Sequence, residues 1–517
     1  MDASDSPQRI SNIDFDRFRL RRFLDELAAA GEIEIRNDPV DLADVAGALS
    51  GNAKAVWFKK AGPEQAELVG NVDADRGRLA RAFGVAPDKL VHELVRRIGT
   101  KGELIEVPRK AAPVQQVVLT GDDIDVTTLP VHLQHGQDGG PYISASVDFA
   151  IDASTGMTNS GLRRLMLRGK RETGVDLNAP SDLRAIYIAA QARGEKLPVS
   201  FVIGAHPIDH VAATMRVAGD ELELVAKLRA APLPVVKCVT NDIRVPADAE
   251  WVIEGYLDER GYVEDEGPYG EYLGYYGGVK LNPVFHVTAI TRRSDAIFQT
   301  LTISGRRLDR TETSQLETLR TEFNVWQALK TVVREPVAVY APVAAGGQPH
   351  VRVSLRQRFP GEAKSAIHTV LGCTSVKHMF VVDPDIDIFS DEQMEWALGT
   401  RFQGDRDLVV MSGMRASPLD PSLDGARTGA KLGFDLTWPV GKSTMEHAVP
   451  DAPGYAGKRF PSLRAALEDG PKSFEALMVA TGSRDGREIV RELDRLRAEP
   501  GFARDKEGRY SLQPKPR

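Results

Sequence analysis

Three features of the 517-residue sequence predict a multidomain α/β protein with α+β character. Apolar residues make up 42% of the chain, enough for more than one buried core, since a domain typically holds roughly 100–200 residues. The apolar pattern switches repeatedly between a helical period and a strand period. Between about residues 114 and 305, short apolar runs separated by turn residues are dense enough for a barrel or a sandwich.

The elements follow in order. Phe23, Leu24 and Leu27 mark the buried face of a first helix, and Ile33 and Ile35 an alternating strand. Short helices and strands continue to about Gly102, giving a small α/β domain over residues 1–113. Residues 115–119 open the β-rich region, 114–305. It continues with 142–150, after the turn residues Gly139-Gly140-Pro141, and with runs starting at Val199, Leu233, Trp251 and Phe285. A long helical stretch, 312–333, forms a linker helix within 306–335. Strands at 351–355, 379–382 and 408–411 alternate with helices near 363–371 and 391–398, a second α/β domain over 336–450. Beyond Pro450-Asp451-Ala452-Pro453-Gly454, residues 455–517 read as helix, helix and hairpin, the order of a winged helix. Glu488, Glu492, Asp494 and Glu499 alternate there with arginines at helical spacing, as on a salt-bridged surface, which favours packing or assembly over DNA binding.

Lys and Arg total 66 against 73 Asp and Glu, a formal charge of -7. That balance disfavours a protein whose main task is coating nucleic acid or an anionic membrane. The two cysteines, Cys238 and Cys373, allow at most one disulfide and lie in no zinc-type spacing, a usage that suits a reducing compartment. The acidic start, Met1 to Ser6, lacks a charged-then-apolar leader, and no apolar stretch approaches the roughly 18 residues of a membrane span. A soluble cytoplasmic protein is expected.

Four segments could carry chemistry. In Glu264-Asp265-Glu266-Gly267-Pro268-Tyr269-Gly270-Glu271, Glu266 and Glu271 would face opposite sides of a straight strand. Gly-Pro-Tyr-Gly is a reverse-turn sequence, however, which can fold the two side chains back toward one space. Paired carboxylates raise each other's proton affinity, which keeps an acid protonated near neutral pH; a solvated acidic hairpin is the alternative. Asn159-Ser160-Gly161-Leu162-Arg163-Arg164 sets small residues before two guanidiniums. Such a run places N–H groups and positive charge against a phosphate or carboxylate, or else forms an exposed helix face or an ion pair. Gly219-Asp220-Glu221-Leu222-Glu223 offers carboxylates to a hard cation such as Mn2+ or Mg2+, or is a charged helix start. Thr428-Gly429-Ala430-Lys431-Leu432-Gly433 sets a lysine between glycines without being a P-loop, and both a phosphate contact and a surface loop fit it.

In this order, the segments resemble the UbiD family of prenylated-FMN-dependent decarboxylases. The likeness runs from about residue 15 to about residue 445. Its most specific strings are Val236-Lys237-Cys238, Thr240-Asn241-Asp242, Val245-Pro246-Ala247 and Glu254-Gly255, then Glu266-Gly267-Pro268-Tyr269-Gly270-Glu271 and Gly274-Tyr275. Leu129-Pro130 and Gly139-Gly140-Pro141-Tyr142-Ile143 resemble the opening of the family's barrel. The resemblance implies a flavin-reductase-like split β-barrel for 114–305 and oligomerisation through 336–450. It implies that Asn159, Asp182 and Glu221 hold a cation, Mn2+ or Mg2+ with K+ as a further candidate, that bridges the cofactor phosphate. Ser160, Gly161, Leu162, Arg163, Arg164, Ser181 and Lys431 would complete the cofactor site. Arg164, Glu266 and Glu271 would form a catalytic network with Glu271 as proton donor. Many members carry His where this chain has Asp182. A carboxylate there adds a negative charge to the metal site; alternatively Asp182 is only the N-cap of the helix starting at Leu183.

Loss of CO2 from an sp2 carbon leaves an electron pair with no orbital to receive it. General acid catalysis contributes about 3 to 5 kcal/mol, against the roughly 8 to 23 kcal/mol that enzymes typically remove from a barrier. Side chains alone do not suffice, and the prenylated flavin is the electron sink the resemblance implies. The expected activity is non-oxidative, reversible decarboxylation of an aromatic or heteroaromatic acid. Fused rings such as phenazine-1-carboxylate and simpler phenolic, furoic, pyrrole or indole acids are all open. The implied partners are a flavin prenyltransferase supplying the cofactor and further copies of the chain in a homodimer or larger homo-oligomer, with no membrane and no nucleic acid. An FMN-dependent reductase on the same barrel and DNA binding by 455–517 are the competing readings.

Overall fold

The β-rich region folds as a barrel. Six strands, Tyr142–Ile151, Thr158–Leu167, Glu172–Val175, Val284–Arg292, Trp251–Leu257 and Leu197–Ile203, pair in that order, and the pairing of Leu197–Ile203 with Tyr142–Ile151 closes the ring. Side chains alternate across each strand, so neighbouring residues serve two cores. Phe201 and Ile253 join Leu165 and Phe285 in one cluster. Val202 and Val252 join Tyr142, Val147 and Phe149 in another, which also takes in the helices Pro207–Thr214 and Glu221–Arg229. Closure removes the unpaired edges that a sheet of this length would otherwise expose.

The computed structural model describes residues 13–441 and 449–512; the acidic start discussed above lies outside them. Two compact units are present, Met1–Thr437 and Trp438–Arg517. In the first, helix Leu20–Ala29 buries Leu20, Phe23, Leu24 and Leu27 against Trp57 and Val69. The N-terminal sheet, Ile33–Arg36, Ala55–Ala61 and Ala66–Gly70, takes its fourth strand from Phe298–Gln299, which follows the barrel in sequence. The first 113 residues therefore do not build their sheet alone. The long helix spans Glu312–Leu329, ending short of the expected Val333. Pro336 disfavours helical geometry at the residue before it and opens the next strand, Pro336–Tyr340.

The second α/β region orders its strands Pro336–Tyr340, His350–Leu355, His378–Val382, Thr428–Asp435, Leu408–Arg415, with helix Glu362–Cys373 packed on them. The surface-loop reading of the Lys431 segment is thereby corrected: it is strand Thr428–Asp435, with Lys431 only 4% exposed. Gly433 has no side chain because a Cβ there would collide with Ile367 of that helix.

The second unit folds around Leu467, Leu477, Ile489, Leu493 and Leu512. Three helices, Leu463–Glu468, Phe474–Thr481 and Gly486–Leu496, precede the hairpin Phe502–Arg504/Tyr510–Leu512. The first helix is too short to register as a periodic pattern. Arg464 pairs with Glu468 and Glu499, Arg487 with Asp485, and Arg509 with Asp505 and Glu507. Among the described residues no helix is long and apolar enough to cross a membrane, and both cysteines are free, Cys238 buried and Cys373 exposed.

Candidate active site

Asn159 to Arg164 lie within barrel strand Thr158–Leu167 rather than on a helix face. Strand alternation sends the two adjacent guanidiniums to opposite faces. Arg163 reaches the fully buried Asp148, Nε to Oδ1 at 3.3 Å. Arg164 turns the other way, into a set of carboxylates. Its Nε donates to Glu266 Oε1 at 2.9 Å and its Nη2 to Oε2 at 3.1 Å, a bidentate pair, while Nη1 donates to Glu271 Oε1 at 2.9 Å. A third carboxylate, Asp176, lies 3.0 Å from Nη2. Burial opposes the charge on Arg164, but Glu271, Glu266 and Asp176 outweigh it and hold the guanidinium protonated above its ordinary range. Burial also pushes Asp176 up, and Arg164 with the N–H groups of Asn178 brings it below the usual carboxylate value.

The loop geometry explains how two glutamates separated by a turn converge. Glu264–Glu266 pairs with Lys280–Asn282, and Tyr269–Gly270 pairs with Tyr276–Gly277. The chain therefore reverses at Gly267-Pro268 and returns Glu271 to the guanidinium. A Cβ at Gly277 would stand 2.7 Å from Glu271 Oε1, so glycine there leaves room for the carboxylate. Asn282 Nδ2 donates to Glu266 Oε2 at 3.3 Å, and the Tyr269 ring lies under Arg164 with 4.5 Å from guanidinium carbon to ring centre. Both glutamates are buried, which excludes the solvated acidic hairpin.

Further back along the same strand is a cavity of about 240 Å3. It is lined by Asn159, Ser160, Gly161, Leu162, Arg163, Ser181, Asp182 and Glu221, together with Arg216 and, from the long helix, Thr313, Glu317 and Arg320. Glu221 begins helix Glu221–Arg229, whose cap is Asp220, so the charged helix start is real and also delivers a carboxylate. Glu221 Oε2 accepts from the Ser160 N–H and, at 3.0 Å, from the Asn159 amide. Burial pushes Glu221 up to about 7; the Ser160 N–H opposes this, and Asp148 and Asp182 add to it. Asp182 is not the helix cap. Ser181 is, accepting from the Arg184 N–H at 3.3 Å, and Asp182 is the exposed first residue of helix Asp182–Ala192.

The oxygen donors here, the Asn159 amide oxygen with the Glu221 and Asp182 carboxylates, fit a hard divalent cation better than zinc. Among the described residues no three His, Cys, Asp or Glu stand close enough to hold a metal unaided; Asn159, Asp182 and Glu221 line the same cavity, and the Asn159 oxygen would have to supply the third donor. Arg216, bonded to the Pro180 carbonyl at 2.8 Å, and Arg320, paired with Glu317, bring positive charge suited to a phosphate. Lys431 lies elsewhere. Its ammonium donates to the carbonyls of Leu371 at 2.8 Å and Thr374 at 2.5 Å, and it lines a separate cavity. Sequence reasoning missed Asp176, Tyr269, Arg216 and Arg320. Arg216 had one available signal, its place in the turn just before Asp220-Glu221.

Residues 105–307 match the 3-octaprenyl-4-hydroxybenzoate carboxy-lyase Rift-related domain, and residues 315–436 the C-terminal domain of the same carboxy-lyase. Over 388 residues the chain is 32% identical to an anhydromevalonate phosphate decarboxylase of Methanosarcina mazei, 74% of this chain and 88% of that one. Its fold resembles the UbiD-class enzyme HmfF from Pelotomaculum thermopropionicum in complex with FMN, with TM-score 0.79, 31% identity, and 84% and 97% of the two chains covered. It also resembles the apo 3,4-dihydroxybenzoic acid decarboxylase of Klebsiella pneumoniae, with TM-score 0.76, 26% identity and the same coverage. With two domains matched in order and a relative of this identity spanned over most of its length, the chain belongs to the UbiD family and is a carboxy-lyase.

Proposed function

We propose that the chain decarboxylates an aromatic or heteroaromatic acid, non-oxidatively and reversibly, with prenylated FMN as cofactor. The observation that carries the reading is the row Glu266, Arg164, Glu271, built on the strand that also lines the Asn159–Glu221 cavity. Asn159, Asp182 and Glu221 would hold Mn2+ or Mg2+, with K+ as a further ion, and Arg216 and Arg320 would face the cofactor phosphate. When bound, the flavin supplies the electron sink that the departing CO2 requires. Glu271 delivers the proton to the carbon that CO2 vacates. Three of the Arg164 N–H groups donate to Glu266 and Glu271 and Nη2 also faces Asp176, which suits holding the acid in place better than capturing a substrate carboxylate.

The relatives support the choice of cofactor and substrate. HmfF has a structure with prFMN in an evolved dimeric form, and other similar structures are decarboxylases of 3,4-dihydroxybenzoic and vanillic acid. A flavin prenyltransferase as supplier, assembly of two or more copies through 336–450, and a fused-ring substrate such as phenazine-1-carboxylate are parts of the same proposal. A phosphorylated acid is the second reading, favoured by the name of the Methanosarcina relative. The test is protein produced together with a flavin prenyltransferase and offered a panel of aryl, heteroaryl and phosphorylated acids. CO2 release from a ring acid supports the leading reading, release from a phosphorylated acid alone supports the second, and oxidation of a reduced nicotinamide without CO2 would favour a reductase.

A further inference from the structure

A third cavity, of about 270 Å3, shares no lining residue with the Asn159–Glu221 cavity or with the one that Lys431 lines. Ala46 and Leu49 of helix Leu42–Leu49 form one wall, with Ser50 and Gly51 after it. Another wall comes from the segment between Thr302 and Thr311 that leads into the long helix, and it brings three guanidiniums, Arg306, Arg307 and Arg310. A single carboxylate pairs with them. Asp309 accepts from Arg307 Nε at 2.9 Å and Nη2 at 2.8 Å, and lies 3.4 Å from Arg310 Nε. Arg306 is exposed and has no hydrogen bond or ion pair among the described residues. Three cations against one carboxylate leave a surplus of two positive charges.

Exposed arginines are ordinarily solvated and screened, and by themselves mark nothing. What distinguishes this cavity is His132. It is 3% exposed, lines the cavity and has no hydrogen-bond partner among the described residues, whereas buried polar groups are normally paired. Burial lowers it to about 4, with His135 adding to the effect, so the ring is neutral near pH 7 and carries one N–H and one lone pair. Neighbouring polar groups are engaged elsewhere. Gln134 donates to Ser144 Oγ and to the Leu301 carbonyl, both at 2.8 Å, and Thr302 donates to Asn71 Oδ1 at 2.9 Å. The cavity itself is left as the source of a partner for His132. A phosphate monoester matches it better than a carboxylate. It carries about 1.5 to 2 negative charges near pH 7, against the surplus of two, and its three oxygens suit the planar donor forks of arginine. Ala46, Leu49 and Ile303 offer apolar surface to an organic part, and a volume near the lower limit of small-molecule sites, about 300 Å3, restricts that part to a few carbons.

We propose that this cavity is a second anion site, separate from the Asn159–Glu221 cavity, which binds a small phosphate monoester through Arg306 and Arg310 with the His132 N–H donating to it. The site does not depend on the decarboxylase reading. Inorganic phosphate and glycerol 3-phosphate are titrated calorimetrically into the full chain carrying its flavin, with sodium chloride of equal ionic strength as the blank, and into Arg306→Ala and Arg310→Ala. Wild type should bind both anions, and each variant roughly tenfold or more weakly, the loss expected for one charge-assisted donor. The 15N signals of the His132 ring should move during the wild-type titration. No binding by wild type, affinity that both variants retain, or saturation that leaves the His132 signals in place overturns the proposal. Arg306→Ala removes an exposed side chain without partners, so should Arg310→Ala not fold, Arg306→Ala and the His132 signals decide. A separate metabolite and a phosphorylated substrate can both bring such a phosphate, and 3-phosphoglycerate distinguishes them. Binding tenfold tighter than glycerol 3-phosphate assigns the phosphate to an acid that reaches on to a second anion contact, equal binding assigns it to a separate metabolite, and both support the site.

Discussion

Glu271→Gln separates chemistry from architecture. Glu271 is 8% exposed, and its carboxylate accepts one bond, from Arg164 Nη1 at 2.9 Å. An amide of the same shape accepts that bond through its oxygen, so Arg164 stays on Glu266 and the loop stays closed. A hydrogen bond to a charged acceptor is worth about 1.5 to 3 kcal/mol and one to a neutral acceptor about 0.5 to 1.5, so the variant should lose about 1 kcal/mol of stability. An amide cannot deliver a proton, and losing a general acid costs roughly a hundredfold to ten-thousandfold in rate, about 3 to 5 kcal/mol of barrier. The assay is CO2 release together with deuterium incorporation in D2O at the carbon that lost CO2, with thermal melting as the control on folding. Decarboxylation by the variant at the wild-type rate would refute the assignment of Glu271. A collapse of the melting transition would refute the claim that the amide preserves the site.

Removing the guanidinium should hurt stability most. Arg164→Met leaves Glu266, Glu271 and Asp176 without their shared counter-charge, a loss of about 3 to 5 kcal/mol by denaturant titration, and a variant as stable as wild type would contradict the geometry. Asp148→Asn tests the buried pair on the opposite face of the strand. Burial, opposed by Arg163, pushes Asp148 up to about 6. A folded-state value above the unfolded one contributes stability that is present at low pH and lost as pH rises through 6. The variant should therefore gain on wild type by about 1 kcal/mol between pH 5 and pH 8, and a pH-independent difference would count against this. Glu221→Gln, or a chelator, should loosen flavin retention on desalting while melting changes little; flavin held as firmly as in wild type would remove Glu221 from the cation site. Gly433→Ala forces a methyl into Ile367 and should cost about 1 to 3 kcal/mol in melting experiments.

Much of this architecture was legible in the sequence, because short apolar runs such as 142–150 and 199–203 and the helical face Phe23, Leu24, Leu27 write burial directly into residue spacing. The turn Gly267-Pro268-Tyr269-Gly270 also allowed Glu266 and Glu271 to share a space, but spacing alone left a solvated hairpin open until their burial decided it. What spacing does not encode is which distant element supplies a partner. Asp176 reaches Arg164 from just past the short strand Glu172–Val175, and Phe298–Gln299 completes a sheet begun more than two hundred residues earlier; neither has a local signature. Lys431 illustrates the opposite error. Glycines flank it because a Cβ would meet Leu423 at Gly429 and Ile367 at Gly433, packing requirements that imitate a phosphate loop.

The most direct test of the account is the mass of the small molecule released on denaturing protein that was produced together with a flavin prenyltransferase. The account predicts FMN enlarged by a prenyl group, present only in protein that also releases CO2 from a ring acid. Catalytically active protein carrying unmodified FMN, or no flavin at all, would contradict it.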